Sequence, residues 1–243
     1  MTFALVWELL RFLEVLPPLW APGTLDIANA LWSGLASGVY LEAVGGTLLA
    51  WALGLSIAAV IAIVWGLLIG ASPVVAACSR IIIRVLRPIP SVALIPVAIL
   101  AAGFGLQMIL ILVVFASLWP ILFNTIYATR EIPVQYVETA RSLGLRPLDV
   151  QCRIVAVAIL PGVTTGLRVA ASIGLVVAIS AELVTGAGGL GGHIMEMRLA
   201  GRTSETYAAV VLGGIVGVVI SIVFTLFQKR LLHWSPDNRE AAA

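Results

Sequence analysis

Charge is scarce in this chain. Only 11% of its 243 residues are Asp, Glu, Lys or Arg, against 61% apolar, whereas a soluble domain carries ~25% charged and roughly 45–50% apolar residues. A mean hydropathy of +1.11 agrees, and both values exclude an ordinary soluble enzyme. Two cysteines are too few for a disulfide scaffold. Neither His193 nor His233 stands at ligand spacing from other metal-binding side chains, so no metal site is expected. No nucleophile–base arrangement appears, and catalysis is not expected. Alternating strands of ~10 residues, the mark of a barrel in lipid, are not visible either.

What the chain has instead is long uncharged runs. No Asp, Glu, Lys or Arg falls between Glu42 and Arg80, nor between Arg87 and Arg130. A bilayer-spanning helix needs ~20 apolar residues, and backbone polar groups cannot go unpaired in lipid. Five spanning helices are therefore expected, near 43–70, 88–104, 107–126, 164–185 and 206–228, with "GFGLQ" (103–107) dividing the second from the third. "MTFALVWELLRFLEVLPP" reads as a further, short or tilted membrane helix ended by Pro17-Pro18. Glu8, Arg11 and Glu14 spoil the apolar core of a signal peptide. "TLDIANALWSGLASG" (24–38) has helical period and suits an amphipathic helix at the interface. The expected organisation is an N-terminal part over 1–40, a transmembrane domain over 41–232 and a tail over 233–243. Several of Trp7, Trp20, Trp32, Trp51, Trp119 and Trp234 lie near expected span ends, as an interfacial belt requires.

Basic residues are unevenly placed. Arg80, Arg84, Arg87, Arg130, Arg141, Arg146, Arg153, Lys229, Arg230 and Arg239 fall on one side of this arrangement, and only Arg198 and Arg202 in the alternate loops. Positive loops stay cytoplasmic, which puts the segment 136–153 and the C-terminus there. Cys78 and Cys152 share that reducing side, so no disulfide is expected.

The segment "YVETARSLGLRPLDVQCR" (136–153) is polar where its neighbours are apolar. A helix from about Pro133 runs to Leu143, where Gly144 provides the left-handed residue that ends it. Pro147 suits the first turn of a second short helix. Three readings stand: a loop that reverses the chain, a DNA-binding helix–turn–helix, and a docking element for a soluble partner. Three Arg against one Glu and one Asp give a weak field for phosphate binding, which counts against nucleic acid. The docking element fits best.

"ETARSLG" resembles the EAA motif of the permease subunits of binding-protein-dependent ABC importers. Glu138, Ala140 and Gly144 stand at the matching places, Thr139 replaces an alanine, and Arg141 lies within the motif. "ILPGVTTGLR" (159–168), "AELVTGAGGLG" (181–191), "RPIPSVALIPVAILAAGFG" (87–105) and "PILFNT" (120–125) are similar to the nitrate/sulfonate/taurine branch. A Leu-Pro that the family usually carries nearer the motif is replaced by Ala156-Val157, and only Leu160-Pro161 remains. The first membrane helix is also shorter than usual.

The resemblance implies an all-α, type I ABC importer transmembrane domain in a bacterial inner membrane. Its coupling helix, at about 133–153, would sit in a groove of the ATPase. Implied partners are a second copy of the permease, two ATPase subunits carrying ATP and Mg, and an extracytoplasmic substrate-binding protein. No Walker A sequence occurs here, so the ATPase is expected to be another polypeptide. The cargo in that branch is small and often anionic. An ion-coupled secondary transporter and a non-transporting membrane scaffold are the alternatives; the first would need inverted repeats and midplane ion sites, which are not seen.

Inside the spans, Ala171, Gly174, Ala178 and Glu182 share one helical face. Glu182 has two readings, a gate or pathway residue and a structural contact near the interface. Asn124, Gln107 and Ser117 either line a path or bridge helices by hydrogen bonds. Arg168 either extends its head to the interface or pairs with Glu138 or a partner acid. Gly186, Gly188 and Gly191 match G-x-G-x-x-G formally, but no strand precedes them. With Gly189 they are read as a sharp-turning extracytoplasmic loop on the binding-protein side.

Overall fold

The computed structural model describes residues 6–9, 11, 13 and 20–232. Ten helices follow residue 20 among the described residues: α1 (Thr24–Ala36), α2 (Val39–Ala71), α3 (Pro73–Leu86), α4 (Ile95–Ala102), α5 (Leu106–Arg130), α6 (Val134–Ser142), α7 (Pro147–Val150), α8 (Ala156–Thr185), α9 (Gly189–Leu199) and α10 (Thr203–Leu231). No strand occurs among the described residues.

Among the described residues, four helical stretches are long and apolar enough to cross a membrane: Val39–Ala71, Leu106–Arg130, Arg153–Leu199 (which contains α8 and α9) and Thr203–Leu231. The span expected at 88–104 takes another form. α3 and the segment Ser91–Ala102 meet at an 83° bend, the form of a broken span or of a re-entrant loop. The break lies at "RPIP", where Pro88 and Pro90 supply no N–H to a helical ladder. A 3-10 turn at Ser91–Leu94 then leads into α4. α5 starts after Gly103 and Gly105, whose φ values of +73° and +112° belong to glycine.

α5 is the centre of the bundle. It is packed on both sides by rows of small residues at four-residue spacing, which put all members of a row on one helix face. α2 contributes Gly54, Ala58, Ala62, Gly66 and Gly70; α8 contributes Gly162, Gly166, Ala170, Gly174 and Ala178. A Cβ on Gly54 would lie 2.7 Å from Val113 Cγ1, and one on Gly66 2.7 Å from Thr125 Cβ. On the other side, Gly162 faces Ala128, Gly166 faces Asn124, and Gly174 faces Ser117. Lipid tails provide little hydrophobic drive between helices, so close backbone approach is what holds them. Ala58, Ala62, Ala170, Ala178, Leu112, Ile121 and Leu122 are all fully buried there.

α1 forms as expected and rests Ile27, Leu31 and Leu35 on the cluster around Tyr40, Ala208 and Leu212, leaving Leu25 and Trp32 exposed. Asp26 caps the first turn by accepting from Gly23 N–H at 3.2 Å. Residues 6–9 are helical. Glu8 there accepts the N–H and O–H of Thr24 at 2.7 Å each and pairs with Arg11 at 3.0 Å. The expected stop at Pro17-Pro18 and the tail 233–243, with His233 and Trp234, lie outside the described residues. Trp51 departs from the belt expectation: its indole donates to Ala171 O at 2.8 Å and ties α2 to α8.

Candidate functional site

The polar insert is a helix, a left-handed stop and a short second helix. Pro133 caps α6 in an extended conformation, and Gly144 closes it at φ +75°. Gly144 N–H donates to Arg141 O (2.9 Å) and Leu145 N–H to Ala140 O (3.1 Å), the paired bonds of a Schellman stop. α7 follows at Pro147 and runs through a π-helical turn, Gln151–Val155, straight into α8. With Ala156-Val157 in place of a Leu-Pro, no proline interrupts this entry, and the second short helix is the foot of a membrane helix. Asp149 and Arg153 form an ion pair there at 3.7 Å.

Exposure along α6 divides the motif. Glu138, Thr139, Arg141 and Gly144 are open to solvent. Ala140 is 2% exposed, covered by this chain itself. A larger side chain there meets the molecule's own packing first. The outward apolar side chains are Tyr136 and Leu143, seven residues apart on one face, at 58% and 75% exposure, whereas Val134 lines a cavity against α2. No sequence reading selected them, although an aromatic and a leucine flanking a polar motif were the available signal.

At the opposite end of α8, Glu182 is buried at 1% exposure. Its Oε2 accepts Thr47 Oγ1–H at 2.7 Å and Gly191 N–H at 3.0 Å. Thr47 Oγ1 in turn accepts Leu190 N–H at 2.8 Å. Leu190 and Gly191 lie in the first turn of α9, whose N–H groups have no intrahelical partner. Gly188, the residue before that helix, has no side chain to cap it. Glu182 from α8 and Thr47 from α2 therefore cap α9 from outside, a carboxylate against the positive end of the helix. The glycines make room for it. Gly189 and Gly191 lie so close to Glu182 and to Ile179 O that no Cβ fits, and Gly186, Gly188 and Gly189 all have positive φ. The loop expected over 186–205 thus contains a helix, because its glycines serve the turn and the cap while Leu190, Ile194 and Met197 are buried. An open groove of about 650 Å³ lies over this turn, lined in part by Glu42, Gly46, Gly188, His193 and Glu196.

Residues 58–234 match the family described as binding-protein-dependent transport system inner membrane component. The chain belongs to this family. It is 31% identical over 209 residues to the nitrate import permease protein of Leptolyngbya laminosa, covering 86% of this chain and 73% of that one. The bicarbonate transport system permease protein of Synechocystis sp. is 29% identical, covering 94% and 85%. The putative aliphatic sulfonates transport permease protein of Escherichia coli is 30% identical, covering 63% and 59%. Among solved structures, a chain of the methionine ABC transporter superposes with a TM-score of 0.66 at 21% identity, covering 79% of this chain and 95% of that one. The fold is that of an ABC transporter membrane subunit.

This permease is thus a multi-pass inner-membrane subunit of an ABC importer, working with an ATPase and a substrate-binding protein. ATP hydrolysis belongs to the separate ATPase. Ser117, Gly174, Ala178 and Asn124 fall at helix contacts, whereas Gln107 is exposed. Ser117 is fully buried and donates weakly to Ala170 O at 3.4 Å. Gly174 and Ala178 face the same seam, and Asn124 Nδ2 donates to Pro120 O at 2.8 Å. Arg168 is exposed, with no carboxylate in ion-pair reach among the described residues. Cys78 is a free thiol.

Proposed function

We propose that the permease carries a small anion, delivered by its binding protein, through a pathway built with a second copy of itself. Each copy binds one ATPase, on which ATP and Mg are held. The segment 133–153 is the coupling helix, facing the cytoplasm, and ATP-driven closure of the ATPase pair displaces it as a rigid element. The arginine asymmetry supports this orientation. The groove over the glycine turn, at the other end, is the face offered to the binding protein.

The observation that carries the reading is the outward surface of α6. Tyr136 and Leu143 are apolar side chains exposed on one face, with the exposed Thr139 between them. A segment that merely reversed the chain would have no use for such a patch, and aromatic anchors dominate interface energetics. Nitrate, bicarbonate and aliphatic sulfonates, named for relatives, share negative charge and small size, which supports the anion. The test is co-purification with the ATPase and uptake of these three anions. Tyr136→Ala with Leu143→Ala should lose the ATPase and uptake together. Retention of both would refute the coupling role.

A further inference from the structure

Four arginines converge on one groove at the α6 end of the molecule. Arg80, Arg84 and Arg87 recur at four- and three-residue spacing, so they share one face of α3. Arg130 comes from the C-terminus of α5, and all four line an open groove of about 680 Å³. Arg87 Cζ lies 4.5 Å from the centroid of the Phe123 ring, within the range of a cation–π contact. Among the described residues, no carboxylate lies in ion-pair reach of any of the four. Charge asymmetry accounts for the side they occupy, not for their gathering at one cleft. Like charges within a Debye length of ~8 Å repel, so the cluster calls for a counter-anion.

The rest of the groove describes that anion. Ile69 and Ile126 are buried beneath the arginines, and Tyr127 is 59% exposed at the rim. The groove is therefore cationic with an apolar floor. The other side of α3 presents Val74, Ile81 and Val85 at 70%, 72% and 59% exposure, a face suited to acyl chains. α3 is held in place by Trp65, whose indole donates to Ser79 Oγ at 3.0 Å. A helix with one apolar and one arginine face lies at headgroup depth, and basic clefts between membrane helices take lipid headgroups.

We infer that the Arg80–Arg84–Arg87–Arg130 groove is a binding site for the phosphate of an anionic phospholipid, whose upper acyl carbons rest on the apolar floor. A free inorganic anion would use the arginines but not the floor.

The test is a native mass-spectrometric titration of the full chain, co-expressed with its ATPase, with phosphatidylglycerol, phosphatidylcholine or millimolar inorganic phosphate. Phosphatidylglycerol should bind in preference to phosphatidylcholine, and phosphate should not displace it. At roughly fivefold per arginine, Arg80→Gln with Arg84→Gln should weaken phosphatidylglycerol roughly 25-fold. Arg84→Lys should retain most of the affinity, and Arg198→Gln, remote from the groove, all of it. If the double variant does not assemble, Arg130→Gln alone should cost about fivefold. Equal binding of the two lipids, or variants that bind like the unmodified chain, would overturn the site. Displacement by phosphate would assign the arginines to a free anion and also overturn it.

Discussion

Glu182→Gln and Glu182→Ala are expected to behave differently, although both remove the same charge. Thr47 Oγ1–H and Gly191 N–H donate to one and the same oxygen, Oε2, at 2.7 and 3.0 Å. A glutamine carbonyl at that place accepts both, so α9 keeps its cap. Alanine removes the acceptor. The Thr47 hydroxyl can turn to Ala43 O, now 3.4 Å away, and still accepts Leu190 N–H. Gly191 N–H, in the first turn of α9, has no intrahelical partner and is left buried and unpaired. Such a group costs about 1–3 kcal/mol, equivalent to roughly a 5- to 150-fold increase in local opening. Hydrogen exchange of a peptide covering 186–195, followed by mass spectrometry in detergent, reads this directly. Protection should be nearly unchanged in Glu182→Gln and should fall by that factor in Glu182→Ala. Equal loss in both variants would mean that the charge, not the acceptor, holds α9. Full protection in Glu182→Ala would refute the capping account altogether.

Gly144→Val places a β-branched residue at φ +75° with open space around it. The cost is in the backbone alone, about 1–2 kcal/mol, and ATPase pull-down should weaken while the membrane helices remain folded. Wild-type pull-down would show that the Schellman stop does not set the docking geometry. Gly166→Leu should abolish monodisperse protein on size-exclusion chromatography, because its Cβ would meet Asn124 Cβ, Ile121 Cα and Pro120 O, each at 3.0 Å. Two of those three atoms are backbone and cannot swing aside. Leu143→Cys should resist a membrane-impermeant maleimide added outside intact cells, and Leu199→Cys, 76% exposed at the other end, should react. The reverse pattern would invert the proposed topology.

Much of this molecule was legible because lipid imposes simple demands. Uncharged runs located the long helices, and Pro133, Gly144 and Pro147 located the parts of the insert. Hydropathy reports burial rather than straightness, so the run over 88–104 concealed a bend that Pro88 and Pro90 impose. α9 was hidden by its glycines, which signal a turn unless the distant cap from Thr47 and Glu182 is known. The small-residue row on α2 was overlooked because glycine and alanine every fourth residue leave no periodic contrast in a uniformly apolar helix. Ala140 shows a related limit: a small residue accommodates a neighbour, but sequence does not say whether that neighbour is a partner or the chain itself.

The two small-residue rows also bear on how a displacement would cross the membrane. A helix seated against backbone on both sides has few shallow positions between one fit and the next, and one helical turn is about 5.4 Å. α2, α5 and α8 are thereby set to travel as one slab. The chain leaves α5 three residues before α6 begins and enters α8 through the foot at Gln151–Val155, so a push on the insert acts on two members of the slab at once. α8 is 30 residues long, a lever of about 45 Å. At its far tip sits Glu182, and in the coupling role proposed above a stroke begun at the insert would arrive, through that cap, at the start of α9.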